Sequence, residues 1–192
     1  MIVHAANETR TNADDAEPAC TNDDPPERSE VGVALSVEIA VATELPEPGL
    51  PHWLGEQLGR IAQHLGVWGE FRIRLVDDTE MVAAHRQYLN VDGTTDVLTF
   101  DLADGASARG APVDADVLAC VDEANRRSRE LGHGLDRELL LYALHGLLHC
   151  LGYDDHDPEG YQRMHDLEDR LLEALGVGAT FAPRPKGVEP GA

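Results

Sequence analysis

Two histidines four residues apart, His145 and His149, are the residues whose type and spacing point most directly to chemistry. In a helix, side chains at positions i and i+4 lie one turn apart on the same face, so both imidazoles can direct a ring nitrogen at one ion. Imidazole nitrogen is a common ligand of zinc and of other transition metals. The spacing therefore predicts a metal site on a helix.

The residues that follow this pair supply further candidate ligands. Gly152 is expected to end the helix, because glycine adopts the left-handed conformation at little cost and turns the chain sharply. The turn then brings Asp154, Asp155 and His156 back over the two histidines. Three protein ligands and one open position are what a catalytic zinc ion requires.

Gly146 argues against one common use of such a histidine pair. In zinc peptidases of the His-Glu-x-x-His type, a glutamate directly follows the first histidine and serves as the general base. Gly146 takes that position here. A zinc peptidase or amidase is therefore the less favoured interpretation, because its usual base is missing.

The elements that must position these residues alternate between strands and helices. The apolar run at residues 139–144 predicts that the histidine-bearing helix, residues 137–151, is buried, and a ligand role offsets the cost of desolvating its imidazoles. Asp78 and Asp136 are the expected N-caps of the second and fourth helices. Strands are predicted at residues 33–42, 71–76, 95–101 and 117–121, further helices at 50–65, 79–88, 122–131 and 158–175, and a loop at 105–110.

This pattern predicts an α/β domain of the α+β type, with a small mixed sheet of about four strands covered by helices and a buried central metal-bearing helix. The domain is expected to span residues 33–181. Residues 1–32 are acidic and lack apolar periodicity, which predicts a disordered tail, and the proline-rich residues 182–192 are expected to be a loose C-terminal tail.

Composition points to the cytoplasm and away from membranes. No run of about 20 apolar residues is present, and the N-terminus lacks the basic start and apolar core of a signal peptide. The three cysteines, Cys20, Cys120 and Cys150, form no Cys-x-x-Cys pair, so they are expected to be ordinary thiols in a reducing compartment.

Three motifs follow one another along the chain: Thr-Asp-Val-Leu-Thr-Phe at residues 95–100, Ala-Asp-Val-Leu-Ala-Cys at 115–120, and His-Gly-Leu-Leu-His-Cys-Leu-Gly-Tyr-Asp at 145–154. In sequence and in order they resemble the YbeY family of bacterial endoribonucleases. The resemblance implies one zinc ion and cleavage of single-stranded RNA in small-subunit (16S) ribosomal RNA maturation and ribosome quality control. It also implies ribosomal RNA and the small ribosomal subunit or its assembly factors as partners. DNA and membranes are not expected partners.

The third ligand departs from the family pattern. The family places a histidine six residues after the second histidine, and Asp155 holds that position here, followed by His156. Met164 keeps its family spacing from His145, which favours Asp155, and carboxylate oxygen is an ordinary zinc ligand. A one-residue bulge after Gly152 would present His156 instead. We expect Asp155 to be the ligand, with His156 as the alternative.

A second departure concerns a positive charge. The family has an aromatic residue and an arginine before the first motif, and the corresponding pair here is Tyr88 and Leu89. That arginine is implied to help hold or activate the RNA. Arg86 lies three residues before Leu89 on the same helix face and is the candidate to replace it, and a solvated surface arginine is the alternative. The sequence names no general base.

The net charge of −21 argues against a protein that binds RNA, because nucleic-acid-binding proteins normally carry a basic surface. Arg126, Arg127, Arg129 and Arg137 cluster around one helix, either as a locally basic patch or as ion-pair partners of nearby glutamates. The acidic total keeps another interpretation open, a non-catalytic ribosome assembly factor. In such an assembly factor the metal site would be structural and closed by four protein ligands, including both Asp155 and His156.

Four further residues have competing interpretations. Asp96 and Asp116 each begin an apolar strand, where they either orient a metal-bound histidine or cap a turn. His165 and Glu168 lie one turn apart on the last helix and are expected to be surface or packing residues unless they face the metal.

Overall fold

The structure is a computed structural model that describes residues 2–4, 34–103 and 112–180. In these ranges strands and helices alternate along most of the chain. The strands are β1 (Ile2–His4), β2 (Leu35–Val41), β3 (Gly69–Val76), β4 (Val97–Asp101) and β5 (Val113–Cys120), and the helices are α1 (Leu50–Leu65), α2 (Asp78–Leu89), α3 (Val121–Leu131), α4 (Leu135–Cys150) and α5 (Pro158–Ala174).

The strands form one mixed sheet in the order β1-β4-β5-β3-β2. Strands β2, β3 and β5 run parallel to one another, β4 pairs antiparallel with β5, and β1 pairs parallel with β4 at the edge. The register places Thr99 of β4 opposite Val117 of β5. Both side chains lie against Gly146 of α4, so the helix that bears the two histidines packs directly on the sheet.

Helix α4 occupies the centre of the main core. It packs against α1, α3 and α5 and against strands β4 and β5, and twelve of its 16 residues are buried. The sheet contributes alternate residues to this core, among them Phe71, Ile73 and Leu75 of β3. Because successive strand residues point to opposite faces, the residues between them belong to the other side of the sheet.

That other face carries a smaller apolar cluster at one end and charges at the other. Helix α2 covers the apolar cluster, which consists of Val76, Met81, Ala84, Leu98 and Cys120. Arg72 lies toward the other end, where its guanidinium is 2.5 Å from a carboxylate oxygen of Asp114 and 2.5 Å from one of Asp116. Those carboxylates raise the pKa of Arg72, which keeps it charged.

The predicted α/β fold, with a mixed sheet and a buried central helix, is confirmed. The predicted N-caps are corrected. Asp77, not Asp78, caps α2 by accepting a hydrogen bond from the backbone N–H of Glu80 at 2.8 Å, and α4 begins after Gly134 rather than after Asp136. The helix propensity of the residues therefore predicts that a helix forms better than it predicts the residue at which the helix begins.

The ends of the chain need one correction. Ile2–His4 form strand β1, although the sequence predicted a disordered tail over residues 1–32. The rest of that tail, the loop at 105–110 and the tail at 182–192 lie outside the described residues. The predicted domain bounds of 33 and 181 stay a prediction. None of the helices in the described ranges is both long and apolar enough to cross a membrane.

Candidate metal centre

Helix α4 presents the two histidines side by side, as the spacing predicts. Their ring centroids are 4.6 Å apart, and their Nε2 atoms are 3.1 Å apart. The His149 side chain is 4% exposed and that of His145 is 17% exposed. Burial, and then the charge of His145, lower the pKa of His149. The neutral imidazole, which is the form that binds metals, is therefore favoured at His149.

The other ring nitrogen of each histidine is held by an oxygen atom. His149 Nδ1 lies 3.0 Å from the backbone carbonyl oxygen of Tyr153, and His145 Nδ1 lies 2.9 Å from Oε1 of Glu168. A carbonyl oxygen only accepts, so Nδ1 of His149 must donate, and a carboxylate favours the same role for His145. In the neutral rings both Nε2 atoms then carry lone pairs. Such an outer contact fixes the ring orientation of metal-binding histidines.

Asp155 completes a group of three on the turn after α4. Gly152 adopts a left-handed φ of 81°, as predicted for the residue that reverses the chain. One carboxylate oxygen of Asp155 lies 3.8 Å from His145 Nε2, and the other lies 3.8 Å from His149 Nε2. Two ligand atoms about 2.0–2.2 Å from a tetrahedral zinc ion are about 3.3–3.6 Å apart. The observed separations fit such an ion after small side-chain movements.

His156, the alternative ligand, lies elsewhere. Its side chain is 74% exposed, and its ring nitrogen pairs with the carboxylate of Asp154. It belongs to a second, more exposed group with Asp154 and Asp155, in which its Nδ1 is 3.9 Å from Asp155. The group of three around the α4 histidines contains Asp155 and not His156. The structure thus brings Asp155, and not His156, to the two histidines, and the choice of ligand stays a prediction.

Glu168 is the functional candidate that the sequence analysis missed. It is fully buried, and its two carboxylate oxygens contact His145 at 2.9 Å and His165 at 2.5 Å. Of the two possibilities left open for Glu168, a packing role and a position facing the metal site, the contact with His145 favours the second. A signal was present in the sequence, because Met164, Glu168 and Leu172 share one helix face and the two outer residues are apolar.

A cavity of about 550 Å³ adjoins the group of three. His145 and Asp155 line one part of it, and Glu138 and Tyr142 of α4 line another. Burial raises the pKa of Glu138 above its ordinary value. Helix α3 contributes Arg127 to the wall. The cavity gives a substrate access to the candidate ligands.

The remaining predicted residues, Arg86, Asp96 and Asp116, show no hydrogen bond or ion pair with the two histidines among the described residues, although Asp96 lines the cavity. Arg86 is 74% exposed, lies 3.7 Å from Asp92, and does not line this cavity. Its role in RNA binding stays a prediction. Asp116 pairs with Arg72 on the outer face of the sheet, and Asp96 accepts a hydrogen bond from the backbone N–H of Val97 at 2.8 Å. Neither of these carboxylates is seen to orient a candidate ligand.

Comparison with known proteins identifies the family. The model of the family described as Endoribonuclease YbeY matches residues 42–176. Endoribonuclease YbeY of Thermobifida fusca is 34% identical over 149 residues, which cover 72% of this chain and 92% of that protein. The protein of the same name from Gloeobacter violaceus is 34% identical over 149 residues, which cover 76% of each chain.

A solved structure supports the fold. The solution structure of a Thermotoga maritima protein matches with a TM-score of 0.52 and 21% identity, covering 80% of this chain and 99% of that one. At that identity the likeness concerns the fold alone. The match to the family model extends over well more than half of the sequence. The chain therefore belongs to the YbeY family.

Proposed function

We propose that this protein is a zinc-dependent endoribonuclease that cleaves single-stranded RNA during small-subunit (16S) ribosomal RNA maturation and ribosome quality control. Membership of the family supports the nuclease activity, and hence a hydrolase that acts on ester bonds. The ligand set proposed for the ion is His145, His149 and Asp155. Ribosomal RNA, the small subunit or its assembly factors are the proposed partners, and the cytoplasm is the proposed location.

One observation carries the metal assignment. The Nε2 atoms of His145 and His149 are 3.1 Å apart while the Nδ1 atom of each faces an oxygen acceptor. Two lone pairs at that distance repel each other unless a proton or a cation lies between them. Asp155 faces the same point with a negative charge. A divalent cation satisfies all three groups, and zinc accepts both imidazole nitrogen and carboxylate oxygen.

The residues divide the chemistry among them. When bound, the zinc ion polarises a phosphoryl oxygen or lowers the pKa of a water molecule. Glu168 and the Tyr153 carbonyl hold the two imidazoles in the orientation that binding requires. The cavity beside Asp155 admits the phosphodiester, while the buried helix keeps water away from the inner side of the site. The general base remains unassigned.

The geometry favours an open site over a closed structural one. A closed site would need a fourth protein ligand, and His156, the candidate for it, is exposed and pairs with Asp154. Three ligands beside a cavity leave a position for a substrate or a water molecule. The assembly-factor alternative is therefore the less supported one.

Peptidase chemistry is also less supported. A Cβ atom at position 146 would lie 2.6 Å from Oγ1 of Thr99 on strand β4. A glutamate at position 146, where the zinc peptidases carry their base, would therefore point into the sheet. Gly146 is required by packing, which explains why the peptidase base is absent.

Cleavage of a precursor fragment of 16S ribosomal RNA by the purified protein tests this function. We expect wild-type protein to bind one zinc equivalent and to cleave the RNA. We expect His149→Ala to lose zinc binding and cleavage, because the variant removes one of the three proposed ligands. His64→Ala, which changes an exposed histidine of α1, serves as the control and should retain both. Zinc content is measured by mass spectrometry and cleavage on gels.

The outcomes separate the alternatives. Zinc bound by wild type but not by His149→Ala, without RNA cleavage by either protein, would reject the nuclease and favour the assembly factor. Wild-type zinc content in His149→Ala would reject the ligand set. Turnover of peptides rather than RNA would favour the peptidase.

A further inference from the structure

A single arginine of helix α3 stands in the wall of the cavity beside the metal-ligand candidates. Arg127 lines this cavity together with His145 and Asp155. Among the residues that the structure describes along its wall, Arg127 is the sole arginine or lysine. The motifs in the sequence assigned no role to this residue.

The charge of the cavity makes this arginine significant. The other ionisable residues of the wall, histidines and a tyrosine aside, are the carboxylic acids Asp96, Glu123, Glu138 and Asp155. RNA brings one negative charge per phosphate, and an acidic wall repels it. Because only Asp155 among these carboxylates is a candidate ligand, a metal ion does not by itself offset the charge of the others. A cation elsewhere in the wall is therefore needed to hold a phosphate.

Arg127 is available for such a contact, whereas its neighbour is not. Arg126 donates to both carboxylate oxygens of Asp78 at 2.7 and 2.8 Å and also contacts Glu123 at 2.7 Å. Among the described parts of the chain, Arg127 has one ion pair, at 2.8 Å, with Glu130, whose side chain is 62% exposed. Surface pairs at i,i+3 contribute little to stability, so the guanidinium can leave Glu130 at small cost.

We propose that Arg127 binds a phosphate group of the RNA strand next to the one that is cleaved. The assignment rests on the proposed nuclease function. A guanidinium offers two parallel N–H donors that match two phosphate oxygens, which gives orientation as well as charge. Arg127 therefore supplies the positive charge that Leu89 does not, from α3 rather than from the α2 position where the family arginine is expected.

The test is the salt dependence of RNA binding. Zinc-loaded protein is titrated into a fluorescein-labelled single-stranded RNA by fluorescence anisotropy at several salt concentrations, and the RNA is checked for integrity on a gel. We expect Arg127→Ala to weaken binding about tenfold at low salt, the size of one charge-assisted hydrogen bond. Its slope of log K against log salt should become shallower by about 0.7, the value for one phosphate contact on a single strand.

Two further variants separate a direct contact from a general change of charge. Arg129→Ala removes the same charge from the exposed side of the same helix, away from the cavity, and should keep the wild-type slope. Arg127→Lys keeps the charge without the two-pronged donor, so it should keep the slope and lose only part of the affinity. Zinc content and thermal unfolding of all variants are measured alongside to exclude misfolding.

The outcomes distinguish this inference from the function on which it rests. If wild type binds and cleaves the RNA while Arg127→Ala matches Arg129→Ala in affinity and slope, the phosphate contact is rejected and the nuclease stands. If wild type neither binds nor cleaves the RNA, the proposed function is rejected, and the contact with it.

Discussion

The candidate metal centre is built from two unequal parts. The helix part consists of His145 and His149 on α4, and the turn part consists of Asp154, Asp155 and His156. The helix part is largely buried, and each of its rings is fixed from behind by an oxygen acceptor. The side chains of the turn part are 29% to 74% exposed, and the polar contacts of His156 within the described ranges are with Asp154 and Asp155. Preorganisation therefore belongs to the helix, and adaptability belongs to the turn.

This difference has a consequence for catalysis. Two rigid ligands keep an ion in a fixed place, while a carboxylate on a turn can shift as the coordination changes during a reaction. The turn also adjoins the cavity through Asp155, whereas His149 does not line it. His145 of α4 also lines the cavity, so a substrate reaches the candidate ligands on the side of His145 and Asp155.

The largest expected effect tests which residue of the turn part is a ligand. Asp155→Ala should weaken zinc binding by more than about a hundredfold, because even outer partners of ligands account for about 10–100-fold. His156→Ala should change it by less than about fivefold, as for an exposed ion pair. Zinc affinity is measured by competition with a chromophoric chelator.

The reverse result would overturn the comparison. If His156→Ala lost the metal and Asp155→Ala kept it, the turn would rearrange on binding, and its chain would have to bulge after Gly152. Comparable losses in both variants would indicate four protein ligands and a closed structural site.

The sequence predicted the helix part better than the turn part for a physical reason. The i,i+4 spacing of His145 and His149 fixes their relation as soon as the helix forms. No such rule places Asp155 against His156, because their directions depend on the φ of Gly152 and on where α5 begins. The apolar content of residues 139–144 likewise predicted the burial of α4.

Contacts and cavities formed between different elements escaped prediction. Glu168 lies 23 positions after His145, and sequence spacing does not show that two helices bring them to 2.9 Å. Arg127 was one of four arginines in a charged cluster, and the cavity that separates it from Arg126 exists only in the packed molecule. The N-caps of α2 and α4 lie one and two residues from their predicted positions for the same reason. Contacts with neighbouring elements decide where a helix begins.

A smaller effect is expected when the orientation of the helix part is loosened. Glu168→Gln keeps one carbonyl oxygen as an acceptor but places an amide donor where the second histidine contact lies. Zinc affinity should fall about tenfold, the lower end for a partner behind a ligand. Glu173→Gln, on the exposed side of the same helix, is the matched control and should leave the affinity unchanged. Equal affinities in wild type and Glu168→Gln would show that helix geometry alone orients His145.

The last expected effect concerns stability rather than zinc affinity. It depends on how closely the helix part approaches the sheet, and we expect a change of sign. Replacing a helical glycine by alanine normally stabilises by up to about 1 kcal/mol. At Gly146 the new Cβ would lie 2.6 Å from Oγ1 of Thr99, so Gly146→Ala should instead destabilise by about 1–3 kcal/mol through overpacking.

Thr99 is the residue that decides this sign. Its Oγ1 is buried and has no hydrogen-bond partner among the described residues, so Thr99→Ala should by itself cost little. In that background Gly146→Ala no longer meets the hydroxyl and should stabilise, which a double-mutant cycle by urea unfolding measures. Gly59→Ala, where the added methyl meets open space on α1, should stabilise in both backgrounds. Additive effects at 99 and 146 would mean that α4 can move away from the sheet, and then the helix part would owe its rigidity to Glu168 and the Tyr153 carbonyl rather than to its packing on β4.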